Sequence, residues 1–131
     1  MSKKILLIED EDQIRAIYTE ELESAGFVVD GFSTGQQGLD AFHKNTYDLV
    51  VLDILLPDLN GLHILKEMKG DSIKKHVPVL LLTNLDQDII VKQGLELGAE
   101  AYLEKVANTP DTVVDKIKSI LEAVNKPSQQ K

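Results

Sequence analysis

The sequence predicts a three-layer α/β domain built on a parallel sheet. Three observations lead there. Apolar runs of strand length alternate with helical patterns five times over, several of those runs are continuously apolar, and 131 residues at 43% hydrophobic content can bury a core without disulfide or metal staples. Strands joined through single helices need crossovers, and crossovers of one hand cover both faces of a parallel sheet.

Each element follows from a local pattern. Ile5 to Ile8 reads as a strand covered on both faces, and it stops at Glu9-Asp10-Glu11-Asp12 because four acids cannot extend a buried strand. Ile14, Ile17, Tyr18, Leu22 and Ala25 share one helical face, with Asp12 expected as the cap and Gly26 as the stop. Phe27 to Phe32 is the second strand. Ser33 or Thr34 caps the next helix, which runs to about His43 and closes near Asn45. Leu49 to Leu52 is a buried strand that delivers Asp53 to its own end, and a Pro57, Asn60, Gly61 turn cluster follows. Leu62, Leu65 and Met68 line a third helix, and Gly70 opens an exposed polar segment through His76. Val79 to Leu82 is a fourth strand ending at Thr83. Asn84 and Asp86 open a helix over Gln87 to Leu97, stopped by Gly98. Ala101 to Leu103 is a short strand running into Glu104 and Lys105. After a loop with Pro110, residues Asp111 to Val124 form the last helix on the spacing of Val113, Val114, Ile117, Ile120, Leu121 and Val124. The domain is expected to span residues 1–125, with 126–131 a disordered polar tail.

Composition narrows the function classes. A net charge of −8 argues against direct nucleic-acid binding, because it repels a phosphate backbone. The absence of cysteine excludes a thiolate nucleophile and a Cys-ligated zinc site, and fits a reducing compartment. The N-terminal apolar run is too short for a signal-peptide core, and no window approaches a membrane span of roughly 20 apolar residues. A cytoplasmic protein is expected.

In a parallel sheet the residues just after each strand collect along one rim, where such folds place their ligands. Here those residues are Glu9 and Asp10, then Asp53, Thr83 and Lys105. Three carboxylates within a few ångströms repel by several kcal/mol at an effective dielectric of about 20, unless a cation or shared proton intervenes. Mg²⁺, a hard ion that takes oxygen ligands, relieves that repulsion. Thr83 and Lys105 suit an anion instead, and a phosphoryl group would engage both. Asp53 lies between the two sets and is the natural nucleophile for forming an acyl phosphate. Taken singly, an acid after a strand is more often a helix cap, and a loop lysine is more often solvated. Their joint order, each at the end of its own strand, favours chemistry.

With these residues in place, the sequence resembles the receiver domain of two-component response regulators over nearly its whole length. The matching segments are ILLIEDE, DLVVLDILLPDLNG, PVLLLT and GAEAYLEK. The resemblance implies a flavodoxin-like three-layer sandwich with strand order 2-1-3-4-5 and five helices. It implies that Asp53 accepts a phosphoryl group from the phosphohistidine of a histidine kinase or histidine phosphotransfer protein. Asp10, Asp53 and the backbone carbonyl of Leu55 would ligate Mg²⁺, with Glu9 acting directly or through water. Thr83 and Lys105 would hold the phosphoryl group, and Tyr102 would turn inward as Thr83 moves.

Three departures from the family pattern stand out. Val106 replaces the proline that commonly follows the lysine, often through a cis bond. A cis non-proline bond costs about 2.5–4 kcal/mol, so a trans Lys105–Val106 bond and a rearranged loop are expected. Asn84 replaces a small residue at the mouth of the phosphoacceptor site. Leu55 and Leu85 occupy the positions two beyond Asp53 and Thr83, where neither can orient an attacking water, so slow self-dephosphorylation is expected.

The remaining candidates carry less. His43, His63 and His76 are not placed on the acidic rim. Ile89, Ile90 and Val91 span too wide an arc for all to face the sheet, so either the helix end is deeply set or that face meets a partner. The charged pattern seen there in DNA-binding regulators is incomplete, with Ala101 where an acid is common; a phosphorylation-dependent dimer of another style stays open. The reading is of a stand-alone signalling module that phosphorylates itself from a donor but does not turn over substrate, with a downstream protein target. The start at Met1 favours a complete chain over a fragment of a larger kinase or regulator. A phosphate-independent pseudo-receiver is the further alternative. A Mg²⁺-dependent aspartyl-phosphate phosphatase is disfavoured because Leu55 replaces its proton donor, and a flavodoxin-like cofactor binder because the first loop is acidic.

Overall fold

Five parallel strands form one sheet in the order β2-β1-β3-β4-β5, in a computed structural model that describes residues 2–84 and 88–125. The strands are β1 (Lys4–Ile8), β2 (Val28–Phe32), β3 (Leu49–Leu52), β4 (Val79–Thr83) and β5 (Ala101–Glu104). Between and after them come α1 (Asp12–Ser24), α2 (Gly35–Lys44), α3 (Gly61–Gly70), α4 (Asp88–Glu96) and α5 (Pro110–Asn125). The expected α/β class, strand order and helix count are all observed.

Alternation along the strands builds two cores. Leu6, Ile8, Val50, Leu52, Val79 and Leu81 face α2 and α3, packing against Leu39, Phe42, Ile64, Leu65 and Met68. Ile5, Leu7, Leu49, Val51, Leu80 and Leu82 face α1 and α5, against Tyr18, Leu22, Val113, Ile117 and Leu121. This two-sided burial explains why these strands carry unbroken apolar runs, Ile5–Ile8, Leu49–Leu52 and Val79–Leu82. The edge strand β2 is the least buried of the five.

Several boundaries differ from the sequence reading. Glu11, not Asp12, is the N-cap of α1; Asp12 is already helical, and its carboxylate takes the guanidinium of Arg15 at 2.6 Å. Gly26 ends this helix at φ +97°, as expected, in a conformation that other residues adopt at a cost. Thr34 caps α2 by accepting the Gln37 amide at 3.2 Å. Thr83 and Glu104 extend their strands by one residue. A 3₁₀ turn at Lys105–Ala107, absent from the sequence reading, follows β5 and is closed by the Asn108 amide side chain donating to the Glu104 carbonyl at 2.8 Å. No peptide bond among the described residues is cis, so Lys105–Val106 is trans as expected. Pro110 is the first residue of α5, where its missing N–H is harmless. The expected helix opening at Asp86 and Gln87, the expectation for Leu85, and the tail 126–131 lie outside the described residues.

Candidate functional site at the carboxyl ends of the strands

Register decides which side chains meet. Ile8 pairs with Leu52, so Glu9 and Asp53 leave neighbouring strands side by side, and the Asp53 amide donates to the Ile8 carbonyl at 3.1 Å. Thr83 pairs with Glu104, which brings Lys105 in from the far side of β4. Glu9 and Asp53 are only 2% and 5% exposed, and Thr83 is fully buried at the end of its strand.

The Lys105 ammonium spans the two buried acids. It donates to Asp53 Oδ2 at 2.8 Å and to Glu9 Oε1, and its side chain is 7% exposed. The remaining carboxylate oxygens are held by backbone: Leu55 N–H donates to Asp53 Oδ1 at 3.0 Å, and Glu11 N–H to Glu9 Oε2 at 3.0 Å. Sequence placed Lys105 with Thr83 as an anion site; the structure bonds it to the acids.

Burial pushes the Glu9 carboxyl above its ordinary 4.5, against the lowering effects of Lys105 and the Glu11 amide. For Lys105, burial alone would lower the pKa. The bonds to Asp53 and Glu9 outweigh it and hold the ammonium above its ordinary 10.5. The site is thus a buried cation shared between two acids.

Asp10 joins them. Among the described residues, Glu9, Asp10 and Asp53 form a group whose ligand oxygens all lie within 4.8 Å of one another. Opposite ligands of a Mg²⁺ ion bound at about 2.1 Å are about 4.2 Å apart, and three hard oxygen donors match its chemistry, so these residues fit such an ion. Leu55 is 56% exposed at the rim of the site, and Asn84 is exposed beside it. Tyr102, opposite Leu81 on β5, is partly buried against the α2/α3 core.

Two contributors were missed in the sequence. Gly61 reads there as a turn residue, but a Cβ at that position would stand 2.4 Å from Ile54 Cα and 2.6 Å from the Asp53 carbonyl oxygen. Its bare Cα lets α3 begin directly against the segment that carries the acid. Asp58 bridges to another element: its two carboxylate oxygens accept the Gly35 and Gln36 amides at 2.8 and 2.9 Å, tying the loop after β3 to the start of α2. Desolvation would raise the Asp58 pKa, but these amides outweigh it and hold the carboxyl below its ordinary 3.8. A depressed folded-state pKa contributes stability above the unfolded value and loses it as pH falls through the folded one. Asp58→Ala is therefore expected to cost about 1 kcal/mol at neutral pH in urea unfolding, with the difference from wild type shrinking as pH falls below 3.8 and gone once it passes the lower folded value. A difference that stays constant down to acid pH contradicts this capping role.

The histidines lie away from this rim: His43 is in α2 and contacts Asp71 at 3.0 Å, His63 is on α3, and His76 precedes β4. On α4, Ile89 is 70% exposed whereas Ile90 packs into the core. The wide apolar arc is therefore split between solvent and interior.

A family model described as the response regulator receiver domain matches residues 5–118. The chain belongs to this family. Among its curated relatives are the alkaline phosphatase synthesis transcriptional regulatory protein PhoP of Bacillus subtilis, 36% identical over 92% of this chain and 49% of that one, and the regulatory protein VanRc of Enterococcus gallinarum, 38% identical over 92% and 51%. This receiver domain spans about half the length of those relatives. Among solved structures, the receiver domain of a Francisella response regulator superposes with a TM-score of 0.86 at 25% identity, covering 95% of this chain and all of that one. A BeF₃-activated DrrB receiver domain does so with 0.82 at 33%, covering 93% and 99%. The fold and the family expected from the sequence are therefore the ones found. No described helix is long and apolar enough to cross a membrane.

Proposed function

We propose that this receiver domain is switched by transfer of a phosphoryl group to Asp53 from the phosphohistidine of a histidine kinase or histidine phosphotransfer protein, and that a downstream protein reads the altered surface. The observation that carries the reading is the Lys105 ammonium bonded to both Glu9 and Asp53 in a buried rim site.

The chemistry follows from how Asp53 is held. One of its carboxylate oxygens attacks phosphorus as the phosphorus–nitrogen bond of the donor breaks; the nitrogen keeps the bonding pair and, with a proton on the other ring nitrogen of the donor, neutral imidazole leaves, giving an acyl phosphate. The Leu55 amide and the Lys105 ammonium each fix one Asp53 oxygen, which keeps the carboxylate oriented before attack. As charge passes to the phosphoryl oxygens, Lys105 follows it from Oδ2. Glu9, Asp10, Asp53 and the Leu55 carbonyl would hold Mg²⁺, which when bound neutralises phosphoryl charge. Thr83 would donate its hydroxyl to a phosphoryl oxygen, and Tyr102 on the adjacent strand would turn inward in response.

Incubation with acetyl phosphate and Mg²⁺, followed on a phosphate-affinity gel, is expected to retard the wild type and leave Asp53→Asn unretarded. A wild type that gains no phosphate, or a variant that gains it equally, overturns the reading. Because the exposed Leu55 cannot orient a water, the label is expected to persist for minutes or longer after the donor is removed. A half-life of seconds contradicts that expectation.

A further inference from the structure

We infer that Arg15 is a positioning residue for the acidic pocket, acting on cation binding through the backbone of Glu9. The inference rests on the proposal that Glu9, Asp10 and Asp53 hold a divalent cation. Arg15 Nη1 donates to the Glu9 carbonyl oxygen at 2.8 Å, while Nη2 pairs with Asp12 Oδ1 at 2.6 Å. One guanidinium thus spans the acidic loop from the residue that enters it to the residue that leaves it. The planar fork suits this, since two donors in fixed relation fix two acceptors.

The strand beside it makes room. A Cβ at Gly31 on β2 would lie 3.4 Å from Arg15 Cδ, so the arginine stem runs along the bare backbone of that glycine. The Asp12 side chain is 85% exposed, and a pair that open to solvent adds little stability by itself. Its effect is to aim the fork.

The bond to Glu9 matters because of what shares that peptide. The Glu9 carbonyl belongs to the same planar unit as the Asp10 nitrogen, so fixing the oxygen fixes the direction in which Asp10 leaves the loop. Glu9 is pinned at its other ends: its amide donates to the Phe32 carbonyl at 3.0 Å, and its carboxylate meets Glu11 N–H and Lys105. The Asp10 carboxylate has no hydrogen-bond or ion-pair partner among the described residues. Its position in the pocket is therefore set by the backbone that Arg15 holds. Outer partners of metal ligands act in this way, and losing one weakens metal affinity about 10–100-fold.

Isothermal titration of Mg²⁺ into the wild type, Arg15→Met and Arg15→Lys tests the assignment, with urea midpoints measured alongside. Arg15→Met is expected to raise the Mg²⁺ dissociation constant about tenfold. Arg15→Lys, which keeps the charge but not the fork, is expected to stay weakened. The Mg²⁺ concentration for half-maximal labelling by acetyl phosphate shifts by the same factor, and the rate at saturating Mg²⁺ does not change. A role of charge alone predicts the opposite, tighter Mg²⁺ binding in Arg15→Met and none of the change in Arg15→Lys, and that result overturns the inference. So does a lowered urea midpoint with unchanged Mg²⁺ affinity, which marks a merely structural residue. A wild type that binds no Mg²⁺ overturns the cation pocket itself, and the inference with it.

Discussion

Replacing Lys105 with methionine is expected to lower stability in metal-free buffer by about 3–5 kcal/mol, because it leaves two buried carboxylates without their shared cation. The side chain is 7% exposed and bonds both Glu9 and Asp53, so water cannot easily take its place. The loss has a definite pH window. The raised pKa of Lys105 means that its contribution is complete below pH 10.5 and disappears as pH rises through the higher folded value. At the acid end the penalty shrinks as Glu9, held above its ordinary 4.5 by burial, takes up a proton. Mg²⁺ is expected to restore part of the lost stability, since the same acids are its proposed ligands. Labelling by acetyl phosphate is expected to slow about a hundredfold, the scale for losing one group that stabilises transition-state charge. Urea unfolding with EDTA and with Mg²⁺ checks the first effect; unchanged stability in EDTA would mean that another group compensates the acids.

Gly61→Ala is expected to have the next largest effect. The added methyl would sit 2.4 Å from Ile54 Cα and 2.6 Å from the Asp53 carbonyl oxygen, and both neighbours are backbone that cannot rotate aside. Relief requires moving α3 away from the end of β3, at about 1–3 kcal/mol for an overpacked site. Since Leu55 N–H holds Asp53 Oδ1, that movement also disturbs the acceptor, and labelling is expected to slow along with the loss of stability. A variant with the wild-type urea midpoint and labelling rate contradicts the close approach.

These two residues also show what the sequence could and could not disclose. Doubly covered strands such as β1, β3 and β4 announce themselves as unbroken apolar runs, and their polar ends mark the rim, so Glu9, Asp10, Asp53 and Lys105 could be grouped before any coordinates. Which partner Lys105 chooses depends on three pairings among four strands, β1, β3, β4 and β5, and sequence carries no record of that register. Gly61 sits in a turn cluster, where a glycine needs no further explanation, so its contact with the backbone of Ile54 stayed hidden. Asp58 reaches an element more than twenty residues away in the chain, a pairing that only the fold creates. Asp12 and Glu11 are adjacent acids at a helix start, and the capping preference of Asp favoured the wrong one. In the structure Asp12 lies inside the first turn, and its carboxylate pairs with Arg15 rather than capping the helix. The 3₁₀ turn after β5 has three residues, too few to show a period.

The most direct test is to locate the phosphoryl group. After labelling with acetyl phosphate and Mg²⁺, borohydride reduction converts an aspartyl phosphate to homoserine, and peptide mass mapping then reads the position. The account predicts homoserine at position 53 of the wild type and none in Asp53→Asn. Phosphate found at Asp10, at Glu9 or on a histidine, with position 53 unmodified, would contradict it.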